Sequence, residues 1–255
     1  MVLHRDFFQR DTVLVAKDLL GKKLIRKINN KKCTGIIIET EAYRASDDPA
    51  SHARIRKTKR NRMMFEEVGH AYVYFTYGIY HCLNVVARNK KFNAGAVLVR
   101  GVYPQLGLDI MSKLRNNTKI QNLTNGPGKL TQALDITLQD NGNDLTKYSS
   151  LYIANGIKIK KIHKKTRIGI SRGTDKKWNF SINPHDYFWS SSSSVHGINL
   201  PSIFDQSRRS NNMTTRVIDT PKTMIPIKMG QGLEMSSVEV IPKLAKIGST
   251  IESLR

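Results

Sequence analysis

From Asp11 to Leu20 (DTVLVAKDLL) apolar residues recur at helical spacing behind an acidic capping candidate, and Gly21 follows as a stop signal. The spacing predicts a short amphipathic helix. The period then changes. KKLIRKI and GIIIETEAY, separated by the turn-like Asn29-Asn30-Lys31-Lys32, read as two antiparallel strands with Glu39, Glu41 and Tyr43 on one face. Residues 44–62 form a polar loop. AYVYFTYGIYHCLNVVA, at 71–87, is rich in aromatic and β-branched residues and is interrupted at Tyr77-Gly78, which predicts a hairpin with Tyr77 near its tip. AVLVRGV (96–102) is a further strand, and PQLGLDIMSKLR (104–115) has a helical pattern. LTNGPGKLTQALDI supplies a Gly-Pro-Gly loop running into another short helix, and strand-like LYIANGIKI and RIGISRG close the regular part.

After Trp189 the pattern is lost. Five serines at 190–194 open a segment with little periodicity and one further aromatic, Phe204. The expected organisation is therefore one domain over 1–189, then a Ser-rich linker and weakly structured tail over 190–255, to which no role is assigned. No internal repeat is visible, and the mixture of strands with short helices gives an α+β fold class.

Charge narrows the partner. The chain has 42 Lys and Arg against 20 Asp and Glu, a net charge of +22. The tail holds eight Lys/Arg and five Asp/Glu, so nearly all of the excess sits on the folded part. Such a one-signed excess implies a polyanion, nucleic acid ahead of an anionic membrane surface. The only cysteines, Cys33 and Cys82, make neither a disulfide framework nor the usual four ligands of a structural zinc. The N-terminus lacks the apolar core of a signal peptide, and no uninterrupted apolar run approaches ~18 residues. A soluble, intracellular protein is expected.

Three groups of residues carry candidate chemistry. Glu39 and Glu41 share a strand face, which fits a general base with a supporting neighbour, a two-carboxylate metal site, an acid/base pair for glycosidic cleavage, or a salt-bridged strand end. Tyr72, Tyr74, Tyr77 and Tyr80, with Tyr43, fit cross-strand packing or stacking on bases; a tyrosine at a hairpin tip fits a wedge between base pairs. SHARIRKTKRNR (51–62) has six Lys/Arg in the nine positions from Arg54, either a solvated loop or a phosphate-contacting one. His52 at its start is by itself a capping or packing histidine.

Taken in order, IIIETEAY, DDPASHA, RNRMMF, AYVYFTYGIYHCLNV, AVLVRGV, GPGKLTQAL and RIGISRG resemble the alkyladenine (3-methyladenine) DNA glycosylase family over about residues 4–185. The resemblance implies a monofunctional base-excision repair enzyme. Such an enzyme flips an alkylated purine, and in some members a deaminated or etheno one, out of duplex DNA and hydrolyses its N-glycosidic bond without cutting the strand. By motif matching, Glu41 corresponds to the general base and Arg100 to the arginine that places the attacking water. Tyr43 and Tyr74 correspond to rings that sandwich the flipped base beside His52, and Asn84 to the residue that crowds the exocyclic amine of guanine. Tyr77 corresponds to the intercalating tyrosine, with Ile79 and Tyr80 supporting it or approaching the minor groove. Arg54, Arg56, Lys57, Lys59, Arg60 and Arg62 are DNA-binding candidates as a group.

The expected fold is a single α+β domain with a curved antiparallel sheet core, flanking short helices and a protruding hairpin. The resemblance implies no metal and no cofactor, and a monomer on double-stranded DNA containing damaged purines, with no membrane association. It further implies a cytoplasmic or nucleoid-associated place in a bacterium-like cell. Two rivals stand beside it: a metal-dependent nuclease using Glu39, Glu41, Asp47 and Asp48, and a non-enzymatic nucleic-acid-binding module.

Overall fold

Asp11 caps the first helix, its carboxylate accepting from the backbone N–H of Val13 at 2.9 Å and of Leu14 at 3.4 Å. In this computed structural model, which describes residues 1–188 apart from Tyr77 and Thr118, helix α1 runs Thr12–Asp18 and buries Val15 and Ala16. Burying the valine side chain contributes roughly 1.5–3 kcal/mol, and the alanine methyl about 0.8 kcal/mol. The chain leaves α1 through Gly21 at φ +82°, where a Cβ would stand 2.5 Å from the carbonyl oxygen of Ile157, so only glycine fits. The expected tail over 190–255 lies outside the described residues. All described residues belong to one compact unit, and none of its helices is long and apolar enough to cross a membrane.

The core is a curled antiparallel sheet of eight strands with short helices around it, an α+β domain. Strand β1 (Lys23–Ile28) turns into β2 (Lys31–Arg44) through Asn29 and Asn30, both at positive φ. Asparagine tolerates that region, so a two-residue turn replaces the expected four-residue one, and Lys31 and Lys32 join the strand. β3 (Ala71–Thr76) and β4 (Tyr80–Val86) form the expected hairpin, and β5 is Gly95–Leu106. β6 (Leu151–Ala154), β7 (His163–Lys165) and β8 (Asn179–Ser181) complete the set. The main path through the sheet is β3-β4-β5-β2-β1-β6.

The fourteen-residue β2 is the spine. One edge pairs with β5 along its length from Thr34 to Arg44; the other is shared between β1 at its start and β8 at Glu39–Glu41. Thr40, fully buried, ties the spine to α1 by donating to the carbonyl of Ala16 at 2.7 Å.

Three elements differ from expectation. Pro104–Leu106 are the end of β5 and not helix, because Pro104 sits opposite Gly35 at a register irregularity where no ladder N–H is needed. Helix α2 then starts at Leu108 and ends at Arg115, after Gly107 at φ +79°. RIGISRG is a loop, bent at Gly169 and Gly173, both at positive φ, and held by the buried side chain of Arg167. The strand beside Glu39–Glu41 is instead β8, with β7 outside it; both are too short to show a period in the sequence. The strand in LYIANGIKI stops at Ala154. Helix α3 (Pro127–Ala133) follows the Gly-Pro-Gly loop with proline in its first turn, as expected, and α4 (His185–Phe188) ends the described chain.

Candidate active site

Two β-bulges build the site. On β2, Ile37 faces Val102 and Glu39 faces Gly101, so Ile38 is an extra residue; on β5, Gly101 faces Glu39 and Val99 faces Thr40, so Arg100 is extra in turn. A bulge re-aims its side chain. Here the guanidinium of Arg100 reaches both glutamates, from Nε to Glu39 Oε1 at 3.3 Å and from Nη1 to Glu41 Oε2 at 3.4 Å.

Glu41 is fully buried, at 0% exposure, and its surroundings consist of donors. Oε1 accepts from the backbone N–H of Ile168 at 2.8 Å and from Asn179 Nδ2 at 3.0 Å. Oε2 accepts from the Tyr43 hydroxyl at 2.8 Å and from Arg100. An ionised carboxylate is an acceptor only, with about four lone-pair sites, and four donors match that inventory. Glu39, 25% exposed in its side chain, is held by Arg100 and by Asn179 Nδ2 at 2.8 Å. Burial pushes the Tyr43 phenol up and the adjacent Glu41 charge pushes it further, so the hydroxyl keeps its proton and donates.

Behind Tyr43 lies a pair that sequence reasoning did not assemble. Arg167 and Asp48, both with side chains at 0% exposure, form a two-pronged ion pair at 2.6 and 2.7 Å, and Arg167 also donates to the carbonyl of Ala42 at 2.9 Å. The Arg167 guanidinium lies 4.8 Å from the Tyr43 ring centroid and 5.3 Å from that of Trp178. It therefore braces the ring whose hydroxyl meets Glu41.

In front of the glutamate's partners opens a cavity of about 360 Å³. Tyr43, His52, Tyr74, Asn84 and Arg100 all line it, brought there from β2, the 44–62 loop, β3, β4 and β5. Tyr72, Cys82, Arg60 and the α3 residues Pro127 and Gly128 complete much of its wall. His52 shares a hydrogen bond with the Tyr72 hydroxyl at 3.1 Å and meets Tyr74 edge-on at 4.9 Å. Although the residue is partly exposed, this desolvation, and after it the charge of Arg60, holds the imidazole below its ordinary pKa. Asn84 donates to the Tyr72 carbonyl at 3.0 Å, which fixes the amide in the wall.

The remaining sequence candidates spread around the rim. Ile79 is 68% exposed beside Gly78, whose own surroundings are open, so the hairpin tip protrudes. Tyr80 is half exposed, but its ring rests on Gly128, where a Cβ would come within 2.9 Å of it, so it also walls the cavity. Tyr77, the expected wedge, lies outside the described residues. Of the basic loop, Arg56, Lys59 and Arg62 point to solvent, while Lys57 is paired with Glu66 at 2.7 Å. Arg60 is exposed as well, and its guanidinium lies 5.3 Å from the Tyr74 centroid at the cavity mouth. Arg54 and Arg172 line a shallower notch that shares Ala50, Gly169 and Ile170 with the cavity.

The carboxylates of the nuclease alternative do not converge. Asp47 is held by Arg44 and Asp48 by Arg167, while both glutamates face Arg100. Among the described residues no group of three or more His, Cys, Asp or Glu is arranged to hold a metal ion. Sequence reasoning does not find Asn179 or the Ile168 N–H. Asn179 belongs to a three-residue strand without a readable period, and a backbone N–H has no signature in a sequence.

Comparison with known proteins adds an independent finding. Residues 6–186 match the family model described as methylpurine-DNA glycosylase. The chain is 47% identical over 189 residues to a protein of Carboxydothermus hydrogenoformans, covering 73% of this chain and 98% of the relative. It is 45% identical over 186 residues to one of Prosthecochloris aestuarii (72% and 88% covered). It is 45% identical over 183 residues to one of Methanocella arvoryzae (70% and 91% covered). Each of these relatives bears the name "Putative 3-methyladenine DNA glycosylase".

Proposed function

We infer, from the premise that the chain belongs to the methylpurine-DNA glycosylase family and so is a DNA glycosylase, a hydrolase of DNA repair, that its cavity receives a damaged purine turned out of duplex DNA. A water held between Glu41 and Arg100 then attacks C1′ of the deoxyribose and breaks the N-glycosidic bond. The observation that carries this reading is the buried Glu41 carboxylate at the back of an aromatic cavity, with Arg100 bridging the two.

The chemistry asks for little more. A purine alkylated at N3 or N7 is already cationic and departs without further protonation, and the sugar approaches an oxocarbenium ion. A fixed carboxylate stabilises that cation while it orients the nucleophile. In this reading the water approaches on the Oε2 side, whose partners Tyr43 and Arg100 both line the cavity. Tyr43 and Tyr74 offer π faces to a cationic base, and a neutral His52 adds no repulsion to it. Asn84, fixed in the wall, is suited to disfavour the exocyclic amine of normal guanine. Ile79 and Tyr80, at and beside the protruding tip, are suited to part the stack. No lysine lines the cavity among the described residues, which supports base release by water and not through a Schiff base.

The test is release of free base from randomly methylated duplex DNA with chelator present. The expected result is free 3-methyladenine and 7-methylguanine, with the strand uncut until alkali or heat is applied. Binding to the same DNA without release of any base would refute the reading and favour a binding module.

A further inference from the structure

Between Asp144 and Asp175 the chain contains no carboxylate, and within that interval IKIKKIHKK (157–165) carries five lysines. Its two kinds of side chain part company. Ile159 and Ile162 pack on the hydrophobic core, and the Ile157 N–H donates to the Gly21 carbonyl at 2.8 Å. Lys158, Lys160, Lys161, Lys164 and Lys165 are all exposed. The backbone between them is clamped, because the Tyr187 hydroxyl accepts from the N–H of Lys160 at 2.9 Å and of Lys161 at 3.0 Å. The lysines thus stand on a fixed ribbon.

Among the described residues these cations are also unclaimed. Arg5, Arg26, Arg44, Arg100 and Arg167 are bound to carboxylates that hold the fold or the site. None of the five lysines is in an ion pair with a described residue. Their place is set by register: Lys165 faces Asn179 on β8, and Asn179 faces Glu41 on β2. Two strand spacings put the Lys165 backbone about 10 Å from that of Glu41. Beyond Lys165 the chain becomes the cavity wall at Ile168–Ile170 and the notch lined by Arg54 and Arg172.

We propose that the ribbon Lys158–Lys165 is a second DNA contact, which grips the phosphates of undamaged duplex on one side of the lesion only. The inference rests on the DNA glycosylase reading above. Charge complementarity selects duplex DNA as the occupant, and continuity with the cavity wall gives the ribbon a direction. At ~3.3 Å per residue the ribbon reaches at most roughly 25 Å beyond Lys165, which corresponds to about seven base pairs at 3.4 Å each. The contact carries no sequence choice, so it strengthens engagement without altering which base is taken.

The experiment compares wild type with the quadruple variant Lys158→Gln, Lys160→Gln, Lys161→Gln, Lys164→Gln as full chains. Binding is read on 30-base-pair duplexes carrying one uncuttable abasic-site analogue, placed centrally or four base pairs from either end. Excision is read on the same duplexes carrying 7-methylguanine. On the central duplex the variant is expected to bind about tenfold more weakly at low salt, with a salt slope shallower by roughly 0.9 for each phosphate no longer neutralised. That difference should vanish when one particular flank is removed and persist when the other is. Single-turnover excision at saturating protein should match wild type on every duplex. Equal affinities on the central duplex, or an equal deficit on both truncated ones, would overturn the proposal. Absence of excision by wild type would instead overturn the glycosylase reading, and the ribbon's role with it.

Discussion

Replacing Glu41 by glutamine tests the site most directly, because the surrounding hydrogen bonds dictate how the new amide sits. The Oε1 position accepts from two N–H groups, of Ile168 and Asn179, so the amide oxygen must take it. The NH2 group then occupies the Oε2 position. The Tyr43 hydroxyl there can reverse and accept, but Arg100 can only donate. The loss is one charge-assisted hydrogen bond, worth about 1.5–3 kcal/mol. At roughly 2–4 °C per kcal/mol for a domain of this size, that lowers the melting temperature by about 3–12 °C. The catalytic loss should be far larger. A positioned base contributes roughly 10²–10⁴-fold, and the missing negative charge beside an oxocarbenium ion adds to it. Single-turnover release of 7-methylguanine should therefore fall at least about 10³-fold, near 4 kcal/mol of barrier, while lesion-duplex binding is retained. Glu39→Gln is the internal control. Glu39 is more exposed and touches neither Tyr43 nor the Ile168 N–H, so its rate should fall less than about tenfold. Glu41→Gln within tenfold of wild type, or Glu39→Gln equally inactive, would refute the reasoning.

Other perturbations probe the support around the site. Asp48→Asn leaves the Arg167 charge buried without its partner and should cost about 3–5 kcal/mol in urea unfolding; the double variant Asp48→Asn, Arg167→Met should be less destabilised than Asp48→Asn alone. Asn179→Ala removes a donor shared by both glutamates, and it should lower stability by roughly 1–3 kcal/mol and slow excision; an unchanged single-turnover rate would deny Asn179 any part in orienting Glu41. Burial alone would raise the Asp144 carboxyl, but the Thr146 hydroxyl and N–H, Lys147 and Arg5 outweigh it and hold the group down at about 2. The unfolded chain takes up that proton first as pH falls, so about 2 kcal/mol of stability, full above pH 4, is lost toward pH 2. Melts of Asp144→Asn across that window should lack this part of the decline, and parallel curves for the two proteins would contradict it.

Much of this was legible in the sequence because local rules and the actual environment agree. The cap at Asp11, the hairpin at 71–86 and the proline-led α3 follow from short-range chemistry. The face shared by Glu39 and Glu41 follows from strand period. Legibility ended where a residue's role is fixed by distant chain. RIGISRG has the composition of a strand, yet its glycines and the pairing of Arg167 with Asp48, 119 positions away, fold it into a loop that offers an N–H to Glu41. Pro104 reads as a helix start, but β2 recruits it. Arg60 is indistinguishable by sequence from its basic neighbours, and only the hairpin's placement of Tyr74 sets it apart.

The paired bulges impose a counting rule on this part of the chain. The pairings Ile36 with Tyr103 and Thr40 with Val99 lie on either side of Ile38 and Arg100, and the two extra residues cancel, so both flanks share one register. Deletion of either residue alone would leave the flanks one step out of phase and turn buried side chains toward water. Deletion of both would restore the ladder while removing the arginine from its station. Insertions and deletions here are therefore tolerated only in matched pairs, and a related chain that keeps the sheet but lacks both residues would be a scaffold without the arginine that joins Glu39 to Glu41.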